Sequence, residues 1–87
     1  MIIVYASSFK KQIRHLPPGI KRALSERLRL FVDMPYHPLL DNHVLKGDRR
    51  GYRSINITGD WRVIYEYVDA TNVRLIEIGT HHDLYGT

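Results

Sequence analysis

The side chains able to move protons or hold an anion crowd into the second half of the chain: His43, Lys46, Arg49, Arg50, Arg53, Asn56, Asp60, Arg62, His81, His82 and Asp83. His43 opens a short apolar run, Asp60 follows Gly59 in a turn, and His81 stands just past the last apolar run, so all three are expected at strand ends, from which side chains converge. Two imidazoles titrating near neutrality, a carboxylate to orient or charge one of them, and neighbouring guanidiniums are the parts needed to cut RNA without a metal. One group takes the proton of the ribose 2′-hydroxyl and another returns a proton to the departing 5′-oxygen. Arginine stabilises the charge that gathers on the phosphorane-like transition state.

Taken singly, each residue also has a plainer use. A histidine at a strand end commonly makes a structural hydrogen bond, Asp60 suits a turn by propensity, and Arg49-Arg50 reads as a solvated loop. Trp61, Tyr65 and Tyr67 share strand parity and are assigned to packing, with Tyr52 a less certain member of that group. Tyr85, beside Gly86 near the chain end, is harder to explain as core and is a candidate to stack on a base. Adjacent histidines on extended chain point to opposite sides, so His81-His82 does not predict a metal site, and no cofactor is expected.

The elements that must carry these residues follow from periodicity. Ile2 to Tyr5 predicts a short strand at a sheet edge. Ser7 or Ser8 is placed to cap a helix with Phe9, Ile13 and Leu16 on one face, and Pro17-Pro18 ends it. Pro18 also suits the first turn of a second helix to about Asp33, with Ile20, Leu24, Leu28, Phe31 and Val32 as its stripe and Pro35 as its stop. Arg27 falls near the middle of that stripe, where it is expected to snorkel or to pair at the helix seam. After Pro38 the period changes to two: His43–Lys46, Tyr52–Thr58, Trp61–Val68 and Val73–Thr80 read as strands, with Gly59-Asp60 as a two-residue hairpin loop. The fold class is therefore α+β: an N-terminal helical hairpin on one face of a four- to five-stranded, mainly antiparallel sheet, the other face open to solvent or ligand.

Eighty-seven residues hold one domain, 1–87, with no repeat or linker. The apolar runs fall far short of a membrane span, and the N-terminus lacks the basic start of a signal peptide, so the cytoplasm is the expected location. With no cysteine, disulfides and thiolate chemistry are excluded. Thirteen Lys and Arg against nine Asp and Glu leave a net charge of +4, and nine of the thirteen are Arg, which suits an anionic partner such as nucleic acid or an acidic protein segment.

From Asn42 onward the chain resembles the RelE superfamily of bacterial toxins, in particular its YafQ-like branch. The residues carrying the resemblance are Asn42-His43-Val44-Leu45-Lys46-Gly47, Gly51-Tyr52-Arg53, Gly59-Asp60-Trp61-Arg62-Val63-Ile64-Tyr65, and Ile78-Gly79-Thr80-His81-His82-Asp83-Leu84-Tyr85-Gly86. The resemblance implies a RelE-like domain and a ribosome-dependent endoribonuclease that cuts mRNA and is silenced by a cognate antitoxin, for which an acidic segment is expected. Operator DNA is implied only through the toxin–antitoxin complex, and no membrane is involved. Residue by residue, it implies catalytic roles for His43, Asp60 and His81, phosphate contact by Arg53, and an aromatic role for Tyr85. Arg62 and Lys46 join the phosphate-binding set from their positions. Asn56 stands where several YafQ-like proteins have a further histidine; it can bond a phosphate or sugar but cannot shuttle a proton. Two other functions remain open: a ParE-like toxin that binds gyrase, and a catalytically weak RNA- or antitoxin-binding member.

Overall fold

The computed structural model describes residues 1–86; Thr87, the last residue of the expected domain, lies outside the described residues. In chain order the elements are β1 (Ile2–Tyr5), α1 (Ser7–Ile13), α2 (Pro18–Asp33), a 3-10 turn at Pro38–Leu40, β2 (His43–Val44), a second at Gly47–Arg49, β3 (Arg53–Thr58), β4 (Trp61–Tyr67), β5 (Asn72–Thr80) and α3 (His81–Tyr85). The α2 boundaries fall where the two prolines predict them, because Pro18 at the helix start lacks only an amide that no helical carbonyl would have met. The expected serine cap of α1 is not used. Ala6 occupies the N-cap, and the Ser8 hydroxyl instead donates to the Ile76 carbonyl of β5 at 2.8 Å.

The sheet runs in the order β1-β5-β4-β3-β2. The pairs β2–β3, β3–β4 and β4–β5 are antiparallel, whereas β1 lies parallel to β5, so the sheet is mixed. The helical hairpin also needs correcting, since α1 docks on β5 and α2 on β3 rather than chiefly on each other. Each apolar stripe finds more surface on the sheet than on the other helix. Alternation along the strands sends Ile55, Ile57, Val63, Tyr65, Val73 and Leu75 to the helix side, where they bury Phe9, Leu24, Phe31 and Leu40.

Local irregularities then bear on the site. Asn56 pairs with Arg62 and Thr58 with Trp61, which leaves Ile57 as the extra residue of a bulge. Its carbonyl accepts from Arg27 Nε at 2.9 Å, which explains a charged residue in the stripe of α2. The Gly59-Asp60 loop then closes the hairpin as expected, with Gly59 at φ +53°.

The second irregularity is α3, a helix that the strand periodicity did not predict. The Asp83 amide donates to Thr80 Oγ at 3.1 Å and the Asp83 carboxylate accepts from the Thr80 amide at 3.3 Å, a reciprocal cap for a single helical turn and a half. That turn folds back over Gly79, where an added Cβ would stand 3.2 Å from Asp83 Cβ and 3.3 Å from Leu84 Cδ2. The side of the sheet opposite α1 and α2 is therefore partly roofed, and what remains open is a cleft.

Candidate active site

The cleft has a volume of about 460 Å3 and is lined by Asp41, His43, Val44, Leu45, Lys46, Arg62, His81 and Tyr85. Strand register explains the gathering. His43 stands opposite Ser54, Ser54 opposite Ile64, and Arg62 shares that parity, so these side chains leave the sheet on the side away from α1 and α2. His81 and Tyr85 reach the same space because α3 returns across it, with their rings edge to face at a centroid distance of 4.6 Å, one helical turn apart.

Arg62 is the hub. Only 8% of the residue is exposed, and its guanidinium donates through Nε to Ser54 Oγ, through Nη1 to Asp41 Oδ2 at 3.3 Å and through Nη2 to the Asp41 carbonyl at 2.8 Å. The same Ser54 oxygen accepts from the Tyr85 hydroxyl at 3.2 Å, so one buried serine ties a β4 guanidinium to the α3 aromatic. A buried charge is tolerated when each of its nitrogens finds a partner in this way.

His43 is oriented by its neighbour in the chain. Asp41 sits in the left-handed region at φ +43°, ending the Pro38–Leu40 turn, and this bend brings its carbonyl to 2.9 Å from His43 Nδ1. A carbonyl can only accept, so the Asp41 contact is a hydrogen bond in the tautomer that protonates Nδ1 and leaves the Nε2 lone pair free; Arg62 Nη2, a donor only, also stands 3.3 Å from Nδ1. The Asp41 carboxylate stands 3.9 Å from the same nitrogen and is 72% exposed, at the rim of the cleft.

The cleft therefore assembles His43, Lys46, Arg62, His81 and Tyr85, but not every expected member. Asp60 stays on the exposed hairpin; its link to the site is through the main chain, where its carbonyl accepts from the His81 amide at 2.9 Å. Asn56 shares the register row of Arg62 but spends its amide on the Gly59 carbonyl at 3.0 Å. Arg53 points to the helix side of the sheet, where its Nε donates to Asn42 Oδ1 at 3.0 Å and its guanidinium lies 5.4 Å over the Tyr36 ring. Strand parity could have shown this, since Arg53 shares the parity of Ile55 and Ile57.

Asp41 and Ser54 are the partners of Arg62 in this network that sequence reasoning missed. Asp41 immediately precedes the Asn42-His43 pair and could have been suspected as a left-handed Asx residue, but its carboxylate meets Arg62 only across the sheet. A lone serine in a strand carries no signal. A further clamp also went unread: Arg49 donates to Glu77 at 2.7 Å and to the Leu84 carbonyl at 3.3 Å, fastening the end of α3 to β5. The Glu77 hydrogen bond holds the Arg49 guanidinium above its ordinary pKa.

The helix-backed five-stranded sheet with a histidine and arginine cleft on its far side is an α+β fold that this chain shares with solved bacterial toxins. The YoeB/ParE toxin from Agrobacterium tumefaciens superposes with a TM-score of 0.76 at 22% identity, over 93% of this chain and 99% of that one. The toxin of the Escherichia coli DinJ-YafQ complex superposes with a TM-score of 0.72 at 27% identity, over 97% of each chain. The mRNA interferase toxin YafQ of Escherichia coli K12 is 34% identical over 88 residues, 97% of this chain and 95% of that protein. The family model described as the bacterial toxin of a type II toxin-antitoxin system, YafQ, matches residues 1–86. This chain belongs to that family.

Proposed function

We propose that the chain is the mRNA-cleaving toxin of a type II toxin–antitoxin system and that its cleft performs ribosome-dependent phosphodiester cleavage by acid–base chemistry. The observation that carries the reading is the pair of imidazoles, His43 and His81, in one cleft floored by the Arg62 guanidinium. His43, in the tautomer whose protonated Nδ1 donates to the Asp41 carbonyl, has Nε2 available to take the 2′-hydroxyl proton. The 2′-oxygen then attacks phosphorus, the bond to the 5′-oxygen breaks, and His81 supplies the proton to that leaving oxygen, ending in a 2′,3′-cyclic phosphate and a 5′-hydroxyl. Lys46 and Arg62 offset charge on the equatorial oxygens, and Tyr85 is placed to stack on a base beside the scissile bond.

Asp60 enters this scheme as support for α3 through its carbonyl, and Arg53 as a residue of the strand's outer flank. A gyrase-binding role would require no such imidazole pair. The relative solved with DinJ supports a protein antitoxin as the partner, and the net charge of +4 suits an acidic segment on it. A ribosome-dependent activity would act in the cytoplasm. Operator DNA would be met only through the toxin–antitoxin complex.

Mapping mRNA 5′ ends after a brief pulse of expression tests the reading. Wild-type protein should leave cuts within translated codons, and His81→Ala should reduce them by about a hundredfold to ten-thousandfold, the usual contribution of a positioned acid or base. Undiminished cutting by a folded His81→Ala variant would overturn the assignment. Growth arrest with intact mRNA would favour the gyrase reading instead.

A further inference from the structure

A second hollow of about 460 Å3 opens on the other flank of β2, lined by Val44, Leu45, Arg50, Gly51, Tyr52, Arg53 and Tyr67. Val44, the last residue of β2, and Leu45 just after it line the cleft as well, so these two residues are the ridge between the two spaces. The second hollow is built differently from the first. Tyr67, 39% exposed, lines it, and Tyr36, 61% exposed, stands outside the lining, its hydroxyl 3.3 Å from that of Tyr67 and its ring beneath the Arg53 guanidinium. Exposed rings beside two guanidiniums are what a nucleic-acid single strand meets on its binding proteins, where rings take bases and arginines take phosphates.

We infer that this hollow is an RNA subsite that holds a nucleotide stacked on Tyr36 or Tyr67 with its phosphate on Arg50 and Arg53, outside the cleft that cuts. The inference rests on the cleft being a ribonuclease site. RNA is favoured over an acidic protein segment because the hollow continues the cleft across β2, and a strand held in one reaches the other over the Val44-Leu45 ridge. It also gives Arg53 a phosphate role at a place where its register leaves it, away from the scissile bond. The RNA could be the message beside the cut or ribosomal RNA at the same position, since both offer a base and a phosphate.

The test compares wild-type protein with Arg50→Glu and Tyr36→Ala, two exposed changes, in cleavage of a defined mRNA on purified ribosomes. Circular dichroism confirms that the variants are folded. Each variant should raise KM by about fivefold to a hundredfold, the range seen when one stacking or phosphate contact is lost, with kcat unchanged. Repeating the measurement with messages trimmed to the cleaved codon separates the sources: the difference disappears if the nucleotide belongs to the message and persists if it is ribosomal. Wild-type KM in both variants overturns the subsite while leaving the ribonuclease reading intact. So does weakened binding of the antitoxin with KM unaltered, which would give the hollow to the protein partner. Absence of cleavage by wild-type protein under the same conditions would instead count against the ribonuclease reading itself.

Discussion

The two faces of the β3–β4 hairpin are built on opposite rules, although they alternate along the same residues. Toward α1 and α2 the hairpin presents Ile55, Ile57, Val63 and Tyr65, fully buried among Phe9, Phe31 and Leu40. Toward the cleft it presents Ser54 and Arg62, which bond each other, Asp41 at the end of the Pro38–Leu40 turn and Tyr85 of α3. The apolar face is held by many non-directional contacts, each replaceable by a neighbour of similar volume. The polar face is held by a few directional ones, and losing one partner leaves a buried donor or acceptor without a bond. Stability should therefore reside mainly in the first face and function in the second.

The edges of the hairpin blur that division. Tyr65 lies on the apolar face, yet its hydroxyl exchanges hydrogen bonds with Asn42 at 2.8 and 3.1 Å. Burial pushes the Tyr65 phenol above its ordinary pKa, which keeps it a neutral donor in the core. Asn42 also bonds the Pro35 carbonyl at 2.8 Å, so the residue just before His43 is anchored to the helix side while His43 itself faces the cleft. One asparagine thus couples the placement of His43 to the packing of the core.

The largest effect should come from Phe31→Ala, which empties a buried site on the apolar face where its ring meets Tyr65 edge-on at 4.9 Å. Urea unfolding should show a loss of about 3–5 kcal/mol. A much smaller loss would mean that the core is looser than its burial implies. Ser54→Ala is the matching change on the cleft face, removing the oxygen shared by Arg62 and Tyr85. It should cost about 1–3 kcal/mol and lower kcat by more than Phe31→Ala does under conditions where both are folded. If the two lowered kcat equally, the division between faces would fail.

The smallest effect lies outside both faces, in the β4–β5 loop, where Asp69 accepts from the amides of Thr71 and Asn72, each at 2.9 Å. The Thr71 amide, and then the Asn72 side chain, lower the Asp69 carboxyl below its usual 3.8. A depressed folded-state value favours the ionised, folded form, so this support is present above about pH 4 and is lost as pH falls through the folded value. Asp69→Ala should therefore reduce stability slightly at neutral pH and not at all in strong acid. A pH-independent difference would show that the loop gains nothing from the charge.

Much of the fold was legible because it rests on periodicity. The proline boundaries of α2, the strands from residue 43 onward and the Gly59-Asp60 loop are local patterns that tertiary context did not override. The parallel β1–β5 pair was not legible, since pairing direction depends on how the chain returns to the sheet, and α3 was missed because its cap is two residues, Thr80 and Asp83, inside what reads as strand and tail. Of the candidate site, His43, Lys46, Arg62, His81 and Tyr85 could be chosen by type and position. Asp60, chosen on the same grounds, and Arg53, implied by the resemblance, do not line the cleft with them, because neither residue type nor motif reports which way a side chain leaves its strand.

What the sequence by itself determined about this protein is its chemical inventory and its family: two well-spaced histidines, an arginine-rich positive charge without cysteine, and the motifs from Asn42 to Gly86. Only the tertiary structure decided that Asp41 rather than Asp60 stands beside His43, that Arg62 is bound into the cleft's floor, and that Arg53 serves the opposite flank. The physical reason is that the inventory is a property of residues one at a time. Partnership is a property of strand register and of a turn bent into the left-handed region, and both are settled when the whole sheet closes on its core.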